Sequence, residues 1–237
     1  MYEMTGCVRY SEAGEDNRLK TAGIINYFQD CTTENSEHLG VGHAFLRKRK
    51  RAWILNAWQV FINRRPSVGE EVRVSTWATG FKGIMGPRDF KMVTADGEEL
   101  ACAQSLWVYV DTETGKPVRP TDGEIAAYEV EEPLPIANFS RKISLPEGLS
   151  KVDTFPVRKY HIDTNNHMNN SRYVELACEA LPQNFEAKIL RVEYKKAAVY
   201  GDQIILKCAV EEERFVCVLC NEESETYATV EFIGETK

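Results

Sequence analysis

His161-Ile162-Asp163-Thr164-Asn165-Asn166-His167-Met168-Asn169-Asn170 runs directly into Ser171-Arg172-Tyr173-Val174-Glu175-Leu176-Ala177-Cys178-Glu179-Ala180-Leu181, and Pro182 stops the run. Polar chemistry is concentrated at the entrance of a helix. Asp163, Asn165 and His167 stand at i, i+2 and i+4, so an extended backbone would project all three side chains from one side. A carboxylate, an amide and an imidazole then share one surface. Asn169, Asn170 or Ser171 can cap the helix, whose free N–H groups and positive dipole end favour developing negative charge. Asp and Asn are also the ordinary residues of turns and caps. A helix needs only one cap, however, and this stretch supplies an acid, a base and several amides at regular spacing.

Working outward, the second half of the chain reads as a strand over about 154–162, the helix over 170–181, and strands near 187–198, 202–212, 214–221 and 225–233. The first half shows the same order. A strand over 2–10 precedes an amphipathic helix over 21–38, whose apolar stripe is Ile24, Ile25, Phe28 and Cys31, extended by Asn35. Strands follow over 53–64, 70–80, 86–96 and 99–111. Val60-x3-Arg64-x3-Val68-Gly69-Glu70-x-Val72 matches Val192-x3-Lys196-x3-Tyr200-Gly201-Asp202-x-Ile204, which marks an internal repeat. Setting Asp16 against Asp163 places Arg18 at Asn165 and Lys20 at His167. The first copy then keeps an acid but lacks the amide and imidazole, so one site per chain is expected. Asp16 to Gly69 spans 53 positions and Asp163 to Gly201 spans 38, so the first copy carries 15 more residues (53 − 38), an interval that includes Arg47-Lys48-Arg49-Lys50-Arg51.

Composition sets further bounds. A chain of 237 residues is comfortable for two domains, with 43% hydrophobic and 27% charged residues. Residues 1–120 form the expected first domain, 121–150 a proline-rich linker and 151–237 the second domain. The net charge is −7, which argues against nucleic acid; the basic run contributes +5 and leaves −12 for the rest. No apolar run approaches the roughly 20 residues of a membrane span, and the opening Met-Tyr-Glu-Met-Thr-Gly is no signal peptide, so a cytoplasmic protein is expected. Seven cysteines form an odd set without paired metal-ligand spacing, read as reduced and mostly buried thiols with no metal.

The Asp-x-Asn-x-His-x-Asn-Asn pattern over 163–170 resembles that of the acyl-ACP thioesterases. The Trp-rich strand Arg51-Ala52-Trp53-Ile54-Leu55, the Gly69-Glu70 turn, Ser75-Thr76-Trp77 and the Trp107 strand extend the resemblance over nearly the whole chain. It implies an α+β architecture of two tandem hotdog domains, each a long central helix wrapped by an antiparallel sheet. It implies hydrolysis of a fatty acyl thioester on acyl carrier protein (ACP), where phosphopantetheine bears the acyl chain. No cofactor is implied, and a homodimer is left open. In this reading Asp163, Asn165 and His167 are catalytic, with His167 as general base, and the helix entrance at Asn169 and Asn170 supplies oxyanion stabilisation. Part of the acyl cavity falls to the first domain, with Ile24, Ile25, Phe28 and Ala57 as candidates, and Arg47–Arg51 is the candidate ACP-docking run. Plant members carry a functional Glu and then a Cys after paired basic residues; here Lys195-Lys196 is followed by Ala197-Ala198, which excludes a Cys nucleophile there. Glu193 on the same strand is a candidate accessory residue, and Cys178 belongs to the core. The competing readings are an acyl-CoA thioesterase, a dehydratase of the same fold and a noncatalytic acyl-binding module.

Overall fold

The structure is a computed structural model that describes residues 1–137, 140–183 and 185–236. Asn138 and Phe139 of the expected linker, and Asn184 and Lys237 of the expected second domain, lie outside the described residues. The fold mixes antiparallel sheet with few helices and divides into two compact units: Met1–Asn56 with Asn63–Phe139, and Ala57–Ile62 with Ser140–Lys237.

The first unit contains β1 (Tyr2–Cys7), α1 (Thr21–His38), α2 (His43–Lys48), the start of β2 (Arg51–Ile62), β3 (Glu71–Ala78), β4 (Met85–Thr94), β5 (Glu99–Asp111) and the short α3 (Asp122–Ile125). Its sheet runs β1-β3-β4-β5, antiparallel at each step. The helical stripe read from sequence is the buried face of α1: Ile24, Phe28 and Cys31 are fully enclosed, with Phe28 against Phe90 at 5.1 Å. Each such side chain contributes about 1.5–3 kcal/mol through removal from water. Asn35 continues the stripe for a polar reason, because its Oδ1 accepts from buried Arg88. The helix ends before Gly40, whose φ of +73° suits a residue without Cβ.

The second unit contains β6 (Ser150–Pro156), α4 (Asn170–Glu179), β7 (Phe185–Tyr194), β8 (Gln203–Glu211), β9 (Arg214–Cys220) and β10 (Thr226–Thr236). Residues 57–61 of β2 pair with β7, and the order continues β10-β9-β8-β6, again antiparallel. Buried Glu231 receives both Arg191 and Arg214 at 2.5 Å, and the same arginines donate to carbonyls of Ser140, Lys142 and Ser144. That ion cluster fastens the segment before β6 onto the sheet. The expectation of reduced thiols throughout is corrected at one place: Cys208 and Cys217, opposite each other in the β8–β9 register, form a disulfide. Antiparallel pairing brings their Cα atoms to 4.3 Å, which no sequence spacing foretells. No helix among the described residues is long and apolar enough to cross a membrane.

Candidate active site

The 161–170 stretch forms a tight turn where alternation had suggested extended backbone. A 3-10 turn over Lys159–His161 leads to a bridge between Ile162 and Met168, and the chain reverses between them. The Asp163 N–H donates to the His167 carbonyl at 2.8 Å, and Asn166 adopts φ +61°, a conformation that Asn tolerates better than most residues. The shared face predicted from i, i+2, i+4 spacing is therefore not that of a strand. Asp163 Oδ1 accepts from the N–H groups of Asn165 at 2.8 Å and His167 at 3.3 Å. One carboxylate thus gathers the backbone of the other two residues around it. The Asn165 and His167 side chains are exposed at the rim of the turn, while His161 and Met168 are buried beneath it.

The turn is anchored to helix α4. Asn169 is the N-cap of that helix: its Oδ1 accepts from the Ser171 N–H and hydroxyl, each at 3.0 Å. Asn170 opens the helix, and its carbonyl accepts from the buried Tyr194 hydroxyl at 3.0 Å. The Met168 N–H donates to the Ala198 carbonyl, and the Ala198 N–H donates to the Tyr173 hydroxyl, both at 2.8 Å. Burial pushes the Tyr173 phenol up to about 12, with the charges of Asp202 and Asp163 acting in the same direction, so it stays neutral. The segment where the resemblance lacks its Glu and Cys is therefore stitched directly to the motif turn.

Glu193 lies on β7 opposite Ala57, and its Oε2 accepts from the Ile143 N–H at 3.3 Å, with the Lys195 ammonium 3.9 Å away. The structure thus ties Glu193 to the segment before β6. Ile24, Ile25 and Phe28 are fully enclosed core of the first unit, whereas Ala57, equally enclosed, falls in the second. Of the basic run, Arg51 pairs with Asp111 at 2.5 Å, Lys50 with Glu113 at 2.6 Å, and the Arg49 guanidinium covers the Phe45 ring at 3.7 Å. Arg47 and Lys48 end the short helix α2.

His161 is a residue that the motif reading passes over. Its Nδ1 accepts from the Arg158 N–H at 3.1 Å, its carbonyl accepts from the Asn169 N–H at 2.9 Å, and Tyr160 lies edge-on at 4.2 Å. Burial, then the neighbouring Arg172 and Arg158 charges, hold its imidazole below the ordinary histidine value against the pull of Glu175. The available signal is its position before the first acidic residue of the motif, where a 3-10 turn must close.

The first unit repeats this backbone arrangement and corrects the alignment of the copies. There a 3-10 turn over Tyr10–Glu12, a bridge between Ala13 and Leu19, a Gly14 N–H to Arg18 carbonyl bond of 2.9 Å and Asn17 at φ +61° match the second-unit features one for one. The constant offset is 149 (163 − 14), not the 147 of the sequence pairing (163 − 16). Gly14 stands where Asp163 does, Asp16 where Asn165 does, Arg18 where His167 does and Lys20 where the cap Asn169 does. The first copy lacks the gathering acid as well as the amide and imidazole. Around Gly69 and Gly201 the offset is 132 in both sequence and hydrogen bonding, as in Val8 N–H to Glu70 and Val157 N–H to Asp202. The first copy is therefore longer by 17 residues (149 − 132) between these landmarks.

Comparison with known proteins places these observations in a family. Residues 1–128 match the model of the acyl-ACP thioesterase N-terminal domain, and residues 146–233 match that of the C-terminal domain. The chloroplastic palmitoyl-acyl carrier protein thioesterase of Cuphea hookeriana is 27% identical over 214 residues, covering 80% of this chain and 50% of that protein. The chloroplastic dodecanoyl-[acyl-carrier-protein] hydrolase of Cinnamomum camphora is 25% identical, covering 83% and 56%. The chain spans about half the length of the curated relatives it matches. The fold is similar to that of an acyl-ACP thioesterase from Bacteroides thetaiotaomicron (TM-score 0.90, 24% identity, 98% of this chain and 97% of that one). It is likewise similar to the 12:0-ACP thioesterase of Umbellularia californica (TM-score 0.88, 20% identity, 100% and 97%). With both domain models matched along its length, the chain belongs to the acyl-ACP thioesterase family.

Proposed function

We propose that this chain hydrolyses fatty acyl-ACP thioesters to free fatty acid and ACP, through one site on the second of two tandem hotdog domains. The observation that carries the reading is the Asp163 carboxylate gathering the backbone of Asn165 and His167 at the entrance of α4, in a chain of this family. His167 takes a proton from water as the oxygen attacks the thioester carbonyl carbon, a role in which a positioned base contributes about 10²–10⁴ in rate. Asn165 positions the water or the carbonyl. The positive dipole end of α4 at Asn169 and Asn170 favours the charge of the tetrahedral oxyanion, while the Asn169 and Ser171 N–H groups themselves are held by the His161 carbonyl and the Asn169 side chain. Collapse breaks the C–S bond, and the departing phosphopantetheine sulfur receives the proton from the imidazolium. Asp163 holds the turn and charge-balances that imidazolium. Glu193, joined to the Ile143 N–H, has an accessory positioning role at most.

The acyl chain is assigned to the first domain around the α1 stripe, and the exposed part of the Arg47–Arg51 run to docking of acidic ACP. The test is incubation with acyl-ACPs of graded chain length and matched acyl-CoAs, with analysis of the released fatty acid. Faster release from acyl-ACP than from acyl-CoA is expected. Equal or faster release from acyl-CoA would replace the carrier assignment, and release from neither would remove the hydrolase reading.

A further inference from the structure

Beneath the motif turn the second unit buries two tyrosines that the hydrolytic steps do not use. Tyr173 lies in α4, and its hydroxyl accepts from the N–H of fully enclosed Ala198 at 2.8 Å. Tyr194 ends β7, and its hydroxyl donates to the Asn170 carbonyl at 3.0 Å, while the two rings meet edge-on at 5.8 Å. The first unit is an internal control for these bonds. The helix offset of 149 sets Tyr173 on Ile24 (173 − 24), and the strand offset of 132 sets Tyr194 on Ile62 (194 − 62) and Ala198 on Pro66 (198 − 66). Backbone hydrogen bonds carry the same pairing. The Leu19 N–H donates to the Pro66 carbonyl at 2.8 Å just as the Met168 N–H donates to that of Ala198, and Asn63 and Arg64 both donate to Leu100 as Lys195 and Lys196 do to Tyr227.

The bond to the carbonyl of residue 66 or 198 is thus common to both copies and holds the turn in each. The hydroxyl bonds belong only to the copy that carries Asp163, Asn165 and His167. In the other copy buried Ile24 and Ile62 have no hydroxyl, and Pro66 has no N–H that would need one, so donor and acceptor are absent together. Packing alone is therefore served by aliphatic side chains at these positions. In the second copy Ala198 is gripped twice, through its carbonyl by Met168 and through its N–H by Tyr173, which closes a ring back along α4 to the cap Asn169. We propose that Tyr173 and Tyr194 are positioning residues for hydrolysis: their hydroxyls lock Met168, Asn169 and Asn170, the exit of the motif turn, so that Asn165 and His167 keep the geometry the reaction needs. The inference rests on the hydrolase reading. Neither hydroxyl takes part in proton transfer.

Tyr173→Phe in the whole chain is tested by steady-state kinetics on the acyl-ACP hydrolysed fastest in the graded series. Histidine ring signals in NMR spectra are read beside it, with His167 identified by its loss in His167→Ala. A fall in kcat of at least about tenfold with KM within about twofold is expected, as a small misplacement of reacting groups produces. The His167 signal should shift or broaden while those of His38 and His43, in the first unit, stay in place. Tyr173→Phe combined with Ala198→Pro reproduces the first copy's pairing and leaves no buried N–H without an acceptor. That double variant should regain most of the melting temperature lost in Tyr173→Phe while kcat stays low. Recovery of kcat along with stability would reduce the hydroxyl to a structural partner and overturn the proposal. If Tyr173→Phe does not fold, Tyr194→Phe, which orphans no N–H, decides by the same readouts. An unchanged kcat, or a His167 signal that does not move, overturns the proposal. An unaltered chain that releases no fatty acid removes the hydrolase reading instead, and the His167 signal alone then decides whether the hydroxyls hold the turn.

Discussion

Asp163 serves the backbone before it serves chemistry. Its Oδ1 holds two N–H groups of the turn, so Asp163→Ala removes both acceptor contacts, while Asp163→Asn keeps an amide oxygen in place. Urea denaturation should show Asp163→Ala less stable by about 1 kcal/mol, the usual net value of such bonds in half-exposed settings, and Asp163→Asn nearly unchanged. Loss of hydrolysis in both variants would separate the charge role from the scaffold role. At Asn169, removal of the cap by Asn169→Ala should cost a further ~1 kcal/mol. His161 adds a pH dependence with a definite sign. Its folded-state pKa is depressed, so the unfolded chain takes up the proton first, near pH 6.5. The stabilisation is complete above that value and is lost as pH falls. The charged groups facing it are Arg158, Arg172 and Glu175, and a proton on Nδ1 also ends the bond from the Arg158 N–H. Melting temperatures measured from pH 7.5 down to about 5 should decline more steeply in the unaltered chain than in His161→Gln; parallel curves would remove His161 as the source.

Elements are legible where one periodicity runs long. The α1 stripe predicts a helix over 21–38, which are its observed bounds, because burial against a sheet enforces the 3.6-residue repeat over five turns. The motif departs locally from its reading for an equally physical reason: i, i+2, i+4 polar spacing belongs to a strand, but also to a turn closed by a left-handed Asn. Asn165-Asn166 is the available signal, since Asn is enriched at positive φ. The same turn hides a two-residue shift between the copies, because Asp16 offers a tempting partner for Asp163 while hydrogen bonding pairs Asp163 with Gly14. The basic run shows how an element sorts its charges. Lys50 and Arg51 are engaged by Glu113 and Asp111, so a docking test belongs on Arg47, Lys48 and Arg49. Reversing those three charges should raise KM for acyl-ACP several-fold at low salt, with little change for a small acyl thioester, and added salt should narrow the difference. Equal effects on both substrates would contradict docking.

Across the whole molecule, the repeat is legible from the Gly69-Glu70 and Gly201-Asp202 turns, while the side-chain pairings that distinguish the units are not. The Cys208–Cys217 bond, the Glu231 cluster and the Arg88–Asn35 bond all depend on strand register, and register is fixed by burial and turn geometry that single residues do not announce. The core status of Ile25 and Phe28 also changes how chain-length selectivity is tested. Phe28→Ala would cost about 3–5 kcal/mol and risk unfolding, whereas Ile25→Val costs about 0.5–1.5. If the α1 stripe borders the acyl cavity, Ile25→Val should shift released fatty acids toward longer chains with His167-dependent turnover intact. An unchanged product profile would place the cavity elsewhere. The central claim is more direct than any of these: the turn over 163–170 performs thioester hydrolysis. Single-turnover release of fatty acid from acyl-ACP, compared between the unaltered chain and folded His167→Ala, measures it. The account predicts at least about a 100-fold fall in the rate of release; release at a near-normal rate would contradict it.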